Sequence, residues 1–420
     1  MILFSPTGKI SKELMKNMNQ KLILRMIKDK GPLSKPELAK HTGLTLPAIT
    51  DITNELESLN LIKNLGQTKI KRGRFPTLYT LNEQSYKSIG IVLRSKIMKG
   101  ALVNLQGEIL EVIERPLPED TSPDSIVKNV QHLVDDMLRN SETSKEEILG
   151  LGVGMHGIVD HLQGISVFPP HLQWDNVPIK QLLEDRIGIQ VKVDNDCNTL
   201  ALSERTFGAG KDASSFIVLN VDYGIGAGIM IDGHLFHGAD FGAGQIGHTR
   251  VDDDGPLCTC GNYGCLEIMS SETAMLENFR RMVKKGFHTV IEKWVDHPDH
   301  IEMMHIYQAA EQGDRLALQT LEMGARYLGI GLATLVNVFN PEKVIITGGI
   351  LRGQAIIMDP ILETFRKHAL KTNIRNLQIV PSQLGENGDV LGAASLWIEE
   401  LFNRSIPLDE LLTQKTMNLR

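Results

Sequence analysis

The chain has 420 residues, a mass of 46.6 kDa and a net charge of -7, with 42% hydrophobic and 23% charged residues. One core rarely holds that length, so two or three domains are expected, and the composition excludes a disordered or fibrous protein. No apolar run is long enough for a membrane span, the opening MILFSPTGKISKEL lacks the apolar stretch of a signal peptide, and four cysteines do not make a disulfide scaffold. The expectation is a cytoplasmic protein with no membrane partner.

Charge is unevenly placed. Residues 1–82 hold 14 Lys and Arg against 6 Asp and Glu, a net +8, and the remainder holds 30 against 45, a net -15. A basic segment on an acidic body suits a polyanion partner. Within residues 18–32, Leu22, Ile23, Met26 and Ile27 recur at helical spacing before Gly31-Pro32. Ser34 and Glu37 form a capping box for a second helix, which ends at His41-Thr42-Gly43. A third begins near Thr45, with Pro47 tolerated in its first turn and Ile49, Ile52, Leu56 and Leu59 as its buried stripe. Two short helices about a glycine turn predict a helix-turn-helix. The outward residues of the third helix, Thr45, Ala48, Thr50, Asp51, Thr53 and Asn54, are small and polar, as a major-groove surface requires. Alternating Leu61–Lys63 and Leu78–Leu81 flank a basic turn carrying Lys69, Lys71, Arg72 and Arg74. That is a wing whose Arg-Gly-Arg tip suits a narrow, A·T-rich minor groove. A helical protein-interaction module with a basic hairpin is the alternative.

From Ser88 the texture becomes α/β. Strands are expected at 88–92, 99–105, 146–155, 190–193, 216–235 and 344–346, with helices at 126–138, 179–185 and 316–339. No tandem repeat or low-complexity tract is visible. Asp194-Asn195-Asp196-Cys197-Asn198 directly follows a strand, where α/β sheets gather ligand groups, although Asn and Asp also make plain turns. Tyr223–Gly228 and Gly238–His248 are glycine-rich, and Gln245 and His248 are the strong polar groups of the second run's latter half. Cys258, Cys260 and Cys265 lie within eight residues, nine intervening positions after His248. Three thiolates and an imidazole make a tetrahedral structural zinc site; buried free thiols are the alternative. Cys197 reads as a small packed residue. Ile345–Ile350 is a strand entering a Gly-Gly turn.

In combination and order, Asn195-Asp196-x-Asn198 with Glu204, Gly224-x-Gly226-x-Gly228, Gly244-x-Ile246-Gly247-His248, Cys258-x-Cys260-Gly-x-x-Gly-Cys265-x-Glu267 and Asn340-Pro341-Glu342 with Gly348-Gly349 resemble the ROK family of repressors and sugar kinases. The resemblance spans about residues 15–400, and the winged helix with Gly73-Arg74-Phe75-Pro76 is similar to its repressor branch, of the xylose and N-acetylglucosamine regulator type. It implies a winged helix-turn-helix at 1–82, then a two-lobed actin-like (ribonuclease H-like) domain at 83–400. Lobe 1 would be 83–200 plus 380–400, lobe 2 would be 201–379, and 401–420 a tail. It further implies a sugar bound between lobes by Asn195, Asp196, Gln245, His248, Glu267 and His171, and zinc on His248, Cys258, Cys260 and Cys265.

One departure bears on activity. Family kinases carry a D-x-G-G-T phosphate turn after their first strand, whereas this strand reads Gly90-Ile91-Val92-Leu93-Arg94-Ser95-Lys96. A backbone cradle for phosphate does not form against Leu and Arg side chains as against glycine. The expectation is a non-enzymatic, sugar-responsive repressor in which Asp196 accepts a sugar hydroxyl. Its partners would be a pseudo-palindromic, A·T-rich operator, a sugar effector and further copies of the chain, as a homodimer or higher homo-oligomer. The alternatives are an ATP-dependent sugar kinase carrying a DNA-binding head, and a repressor whose effector is a protein.

Overall fold

The computed structural model describes residues 12–66, 76–94, 96–169, 172, 174–402, 407–408 and 410–412. The chain divides into two compact units, residues 1–199 with 389–420, and residues 200–388.

The first unit begins with the basic head. Helices α1 (Lys12–Lys30), α2 (Lys35–Thr42) and α3 (Leu46–Ser58) pack with strands β1 (Leu33–Ser34), β2 (Ile62–Asn64) and β3 (Leu78–Leu81), which form an antiparallel sheet in the order β1-β3-β2. Ser34 and Glu37 make the expected capping box, and Thr45 caps α3 by accepting from the Ala48 amide at 3.4 Å. Ile23, Leu24, Ile27, Leu38, Ile49 and Leu56 form the head's core. Helix α1 starts at Lys12, six residues before the predicted start, and its buried face is rotated. Leu24 enters the core, Leu22 and Met26 are half-buried, and Asn17, Gln20 and Lys21 are buried. A hydrophobic stripe predicts packing against apolar neighbours. It cannot anticipate a buried lysine whose partner lies near the other end of the chain.

The rest of this unit is a five-stranded sheet, β4 (Lys87–Leu93), β5 (Ile97–Asn104), β6 (Ile109–Pro116), β7 (Ile148–Met155) and β10 (Val191–Asn195), with a small hairpin of β8 (Ile158–Asp160) and β9 (Ile165–Phe168). Helices α4 (Pro123–Asn140) and α5 (Ile179–Ile187) cover one face through Ile126, Val130, Leu133, Met137, Ile179 and Leu183. The strand order is β10-β7-β4-β5-β6: β4, β5 and β6 form an antiparallel meander, and β7 and β10 run parallel to β4. Helix α6 (Asp196–Thr206) leaves directly from β10.

The second unit repeats that plan. Strands β11 (Phe216–Val221), β12 (Ile225–Ile231) and β13 (His234–Leu235) form a meander, and β14 (Lys343–Thr347) and β15 (Gln378–Pro381) join parallel to β11 in the order β13-β12-β11-β14-β15. Helices α7 (Leu266–Ser270), α8 (Glu272–Lys284), α9 (Met303–Glu311), α10 (Arg315–Phe339) and α11 (Gln354–His368) belong to this unit, and α8 to α11 bury Phe279, Tyr307, Leu332 and Phe365 in its core. Both sheets therefore read 3-2-1-4-5, a duplicated topology that no sequence repeat announces.

Helix α12 (Gly388–Phe402) returns to the first unit's sheet. It lies close enough that a Cβ at Gly90 would sit 2.0 Å from the Val390 carbonyl oxygen, and one at Gly152 1.8 Å from that of Ala393. Trp397 Nε1 donates to the Leu151 carbonyl at 3.1 Å. Leu401, Phe402, Leu408 and Leu411 are buried, so these residues of the expected tail pack as core. Among the described residues no helix is long and apolar enough to cross a membrane.

Candidate functional site

In the first unit, the carboxyl ends of β4, β7 and β10 lie in one row, with Leu93 opposite Met155 and Met155 opposite Asn195. Residues that follow β4 and β10 thus share one sheet edge about two strand spacings, ~10 Å, apart. Asn195 Oδ1 accepts from the Cys197 and Asn198 amides at 2.9 and 3.3 Å, and Nδ2 donates to the Gly157 carbonyl at 2.9 Å. Both of its polar atoms thereby fix the strand-to-helix turn. Buried Asp194 reinforces it, accepting from the Asn195 amide and from Asn198 Nδ2 at 2.9 Å. Asp196 opens α6 with its carboxylate accepting from the Cys197 amide at 2.9 Å. Burial pushes its pKa up to about 6, opposed by that amide and by the Arg94 guanidinium. Cys197 is buried, as expected of a packed residue.

Arg94, at the end of β4, is tied down. Its Nη2 lies 2.7 Å from Asp389 Oδ2 in the first turn of α12, and Lys99 Nζ lies 3.6 Å from the other carboxylate oxygen. Asp389 also accepts from the Val390 amide at 2.8 Å. A helix N-terminus open to an anion would present such amides to a ligand; here the chain supplies the carboxylate itself. Sequence reading did not find Asp389, because its partner is 295 positions away.

In the second unit, the polar candidates cluster around β12. The turn Ile246–His248 is pressed onto that strand: Gly244 has φ +85°, and a Cβ there would stand 1.8 Å from the Ala227 carbonyl oxygen. Gln245 and His248 are half-buried. Glu267, in the first turn of α7, accepts from the Ile225 amide at 3.0 Å. Glu204 is buried, accepting from the Ala209 amide at 2.8 Å and from the Ser382 hydroxyl, and desolvation raises its pKa.

His248, Cys258, Cys260 and Cys265 converge, with their ligating atoms all within 4.8 Å of one another. Cys258 Sγ is 3.7 Å from His248 Nδ1, and Cys260 Sγ is 3.6 Å from Cys265 Sγ. A tetrahedron with metal–sulfur arms of ~2.3 Å has edges of ~3.8 Å, so these separations fit a four-coordinate ion. Burial pushes the Cys265 thiol up to about 12, aided by the neighbouring thiols. The knuckle is shaped by Gly264, at φ +63°, where a Cβ would stand 1.6 Å from the Asp252 carbonyl oxygen. The cluster can bind a metal ion. With Nδ1 turned to the thiols, Nε2 is the ring nitrogen left for another partner.

At the carboxyl ends of β11 and β14 stand Asp222, buried Glu272 and the Gly348-Gly349 turn. Tyr307 Oη donates to Glu272 at 2.8 Å, Arg352 pairs with it at 2.7 Å, and the Glu272 amide donates to the Asp222 carbonyl. Burial raises the Glu272 pKa, and Asp222 acts in the same direction.

On α3, Thr45, Asp51 and Asn54 are exposed. Ala48 and Thr50 are half-buried, and the Thr50 hydroxyl is bonded to the Leu46 carbonyl at 2.9 Å. Thr53, expected outward, is fully buried, with its hydroxyl on the Thr50 carbonyl at 3.1 Å. Its position, four after Ile49, falls on the core stripe, and the internal bond makes its hydroxyl compatible with burial. Leu46, 50% exposed in the first turn, was missed because apolar residues were assigned to the core. Lys69, Lys71, Arg72 and Arg74 on the wing, and His171, lie outside the described residues.

A winged helix ahead of two sheets of one actin-like (ribonuclease H-like) topology defines the class of protein. Residues 89–400 match the ROK family model and residues 18–63 a winged helix-turn-helix DNA-binding model. The chain belongs to the ROK family. It is 32% identical over 392 residues to a xylose repressor of Caldicellulosiruptor bescii, covering 93% of this chain and 98% of that one. It is 30% identical over 400 residues to the DNA-binding transcriptional dual regulator NagC of Escherichia coli, covering 95% and 97%. Among solved structures, a ROK family transcriptional regulator, a homologue of the E. coli MLC protein, matches with TM-score 0.81 and 27% identity over 96% of this chain and 99% of that one. A ROK family glucokinase from Streptomyces griseus, in complex with glucose and AMPPNP, matches with TM-score 0.67 and 30% identity over 74% of this chain and 98% of that one.

Proposed function

We propose that this chain is a sugar-responsive transcriptional repressor that binds operator DNA through its winged helix and has no kinase activity. The observation that carries the reading is the Arg94–Asp389 ion pair, on the same sheet edge as Asp196, in a chain with a DNA-binding head. A phosphoryl donor needs a cradle of open backbone amides. Leu93 and Arg94 stand at the end of β4, and Asp389 fills the start of α12.

Asp196 accepts a sugar hydroxyl, and Asn195, Gln245, His248, Glu267 and His171 supply further sugar contacts. Zinc is held by His248 Nδ1, Cys258, Cys260 and Cys265, and its chemistry is structural: four protein ligands leave no open position. With Nδ1 committed to such an ion, the His248 ring would be held in place and its Nε2–H would serve as a donor. Thr45, Ala48, Thr50 and Asn54 face the operator with Lys71, Arg72 and Arg74 of the wing, and a homodimer presents two heads to a pseudo-palindromic, A·T-rich site. Sugars and ATP with magnesium, given to the full-length protein, test the reading. Calorimetry should show sugar binding, and a coupled assay should show no ADP above background. Turnover on the order of 1 s⁻¹ would restore the kinase.

A further inference from the structure

Helix α12 is anchored by charge at both ends, and the two ends serve different parts of the first unit. At its start, Asp389 holds Arg94 and Lys99, at the sheet edge that carries Asp196. At its finish it holds the head. Lys21 of α1, 1% exposed, donates from Nζ to the Glu400 carbonyl at 2.7 Å. Lys28 of α1 lies 3.9 Å from Glu399 and 4.4 Å from the Phe402 ring centroid. Beyond the helix, the Leu408 amide donates to Asn17 of α1 at 3.2 Å.

A second path reaches the same place. Lys192 lies on β10, three residues before Asn195, and pairs with the Glu400 carboxylate, its ammonium 4.9 Å from the Trp397 ring centroid. Glu400 thus meets the strand bearing Asn195 through its side chain and the head through its carbonyl. Between the ends, the helix backbone is seated on Gly90 and Gly152 with no room for a side chain at either position. A helix so seated behaves as a strut, and the eleven residue steps from Asp389 to Glu400 span ~16 Å.

We propose that α12 is the element that couples effector occupancy at the first unit's sheet edge to the DNA-binding head, with Asp389 as its sensing end and Glu400, shared between Lys192 and Lys21, as its reading end. This rests on the sugar-responsive reading above. These residues are positioning residues: they act on the operator surface through α1. An effector drawing on Arg94 or Asp196 shifts the first turn of α12 or the end of β10, and both movements reach Lys21 through Glu400. Energetic coupling needs such a connected element, biased from both sites.

The test uses hydrogen exchange of the full chain without sugar or DNA, so its failure is distinct from failure of the functional reading, which would appear as absent sugar binding in calorimetry. Asp389→Asn and Lys192→Met are compared with Tyr327→Phe, which removes a hydrogen bond to Asp252 in the second unit. Each of the first two should speed exchange in α1 at least ~5-fold, with β11 and β14 unchanged, while Tyr327→Phe leaves α1 unaltered. Distant sites without shared partners act independently to within about twofold. Exchange of α1 within twofold of wild type in Lys192→Met overturns the proposal. If Asp389→Asn loosens both units or fails to fold, Lys192→Met decides alone. With a sugar found by calorimetry and an operator selected from random duplexes, Lys192→Met should also keep sugar affinity within about threefold while the sugar's effect on operator affinity falls at least ~5-fold. An undiminished effect contradicts the strut.

Discussion

Replacing Lys21 with methionine isolates the charge at the joint between the head and α12. Burial holds the Lys21 pKa down to about 8 against its ordinary 10.5, with Glu400 opposing and Lys192 adding to the fall. At neutral pH the ammonium is therefore kept at a cost of about 3 kcal/mol, at ~1.4 kcal/mol per pH unit. That cost is net of the hydrogen bond to the Glu400 carbonyl. Near pH 7, Lys21→Met should thus be no less stable than wild type. The diagnostic quantity is the pH dependence. Between pH 8 and 10.5 the unfolded chain holds this proton and the folded chain does not, so wild-type stability rises with pH across that window. From pH 8 to about 9.5 this amounts to roughly 2 kcal/mol in favour of wild type relative to Lys21→Met. Urea unfolding of both proteins at several pH values, followed by circular dichroism, gives the difference directly. Parallel pH profiles would show that Lys21 is not desolvated, and the account of the joint would fail.

Other consequences concern the sites. If only ionised Asp196 accepts the sugar hydroxyl, affinity is constant well above pH 6 and falls about tenfold by pH 5, as titration calorimetry over that range would show; a flat profile removes Asp196 from the contact. The raised pKa of this carboxyl also means that its contribution to folding is most favourable below its ordinary 3.8 and is lost as pH rises through 6. Cys260→Ser should reduce bound zinc from one equivalent per chain to near zero by elemental analysis and abolish sugar binding, because the knuckle holds His248; retention of both refutes the ligand set. Asn54→Ala should weaken operator binding by ~1–3 kcal/mol if Asn54 reads a base, whereas Arg72→Ala with Arg74→Ala should reduce the salt slope of log affinity by about 2. Anisotropy titrations at several salt concentrations separate the two effects.

The sequence exposed what local chemistry determines. The Ser34–Glu37 capping box, the Thr45 cap, the alternating strands and the cysteine knuckle each depend on residues within a few positions of one another. His248 could be grouped with the thiols because only a short loop separates it from them. What stayed hidden depends on distant partners. Arg94 looked like a lost phosphate turn, and only the fold shows its ion pair with Asp389. Lys21 reads as a surface charge until α12 is laid over it. Thr53 was placed outward by its polarity, although its spacing from Ile49 belongs to the core. The duplicated 3-2-1-4-5 sheet left no visible repeat because topology constrains which positions are apolar, not which apolar residue occupies them.

The central claim is that one chain reads DNA and sugar and that each affects the other. The most direct measurement is operator affinity, by fluorescence anisotropy, with and without saturating sugar, beside sugar affinity for free and operator-bound protein. The account predicts that both affinities change by the same factor, within ~5–150-fold, since binding free energies are coupled reciprocally. A sugar that binds equally well to free and operator-bound protein, leaving operator affinity unchanged, would contradict it.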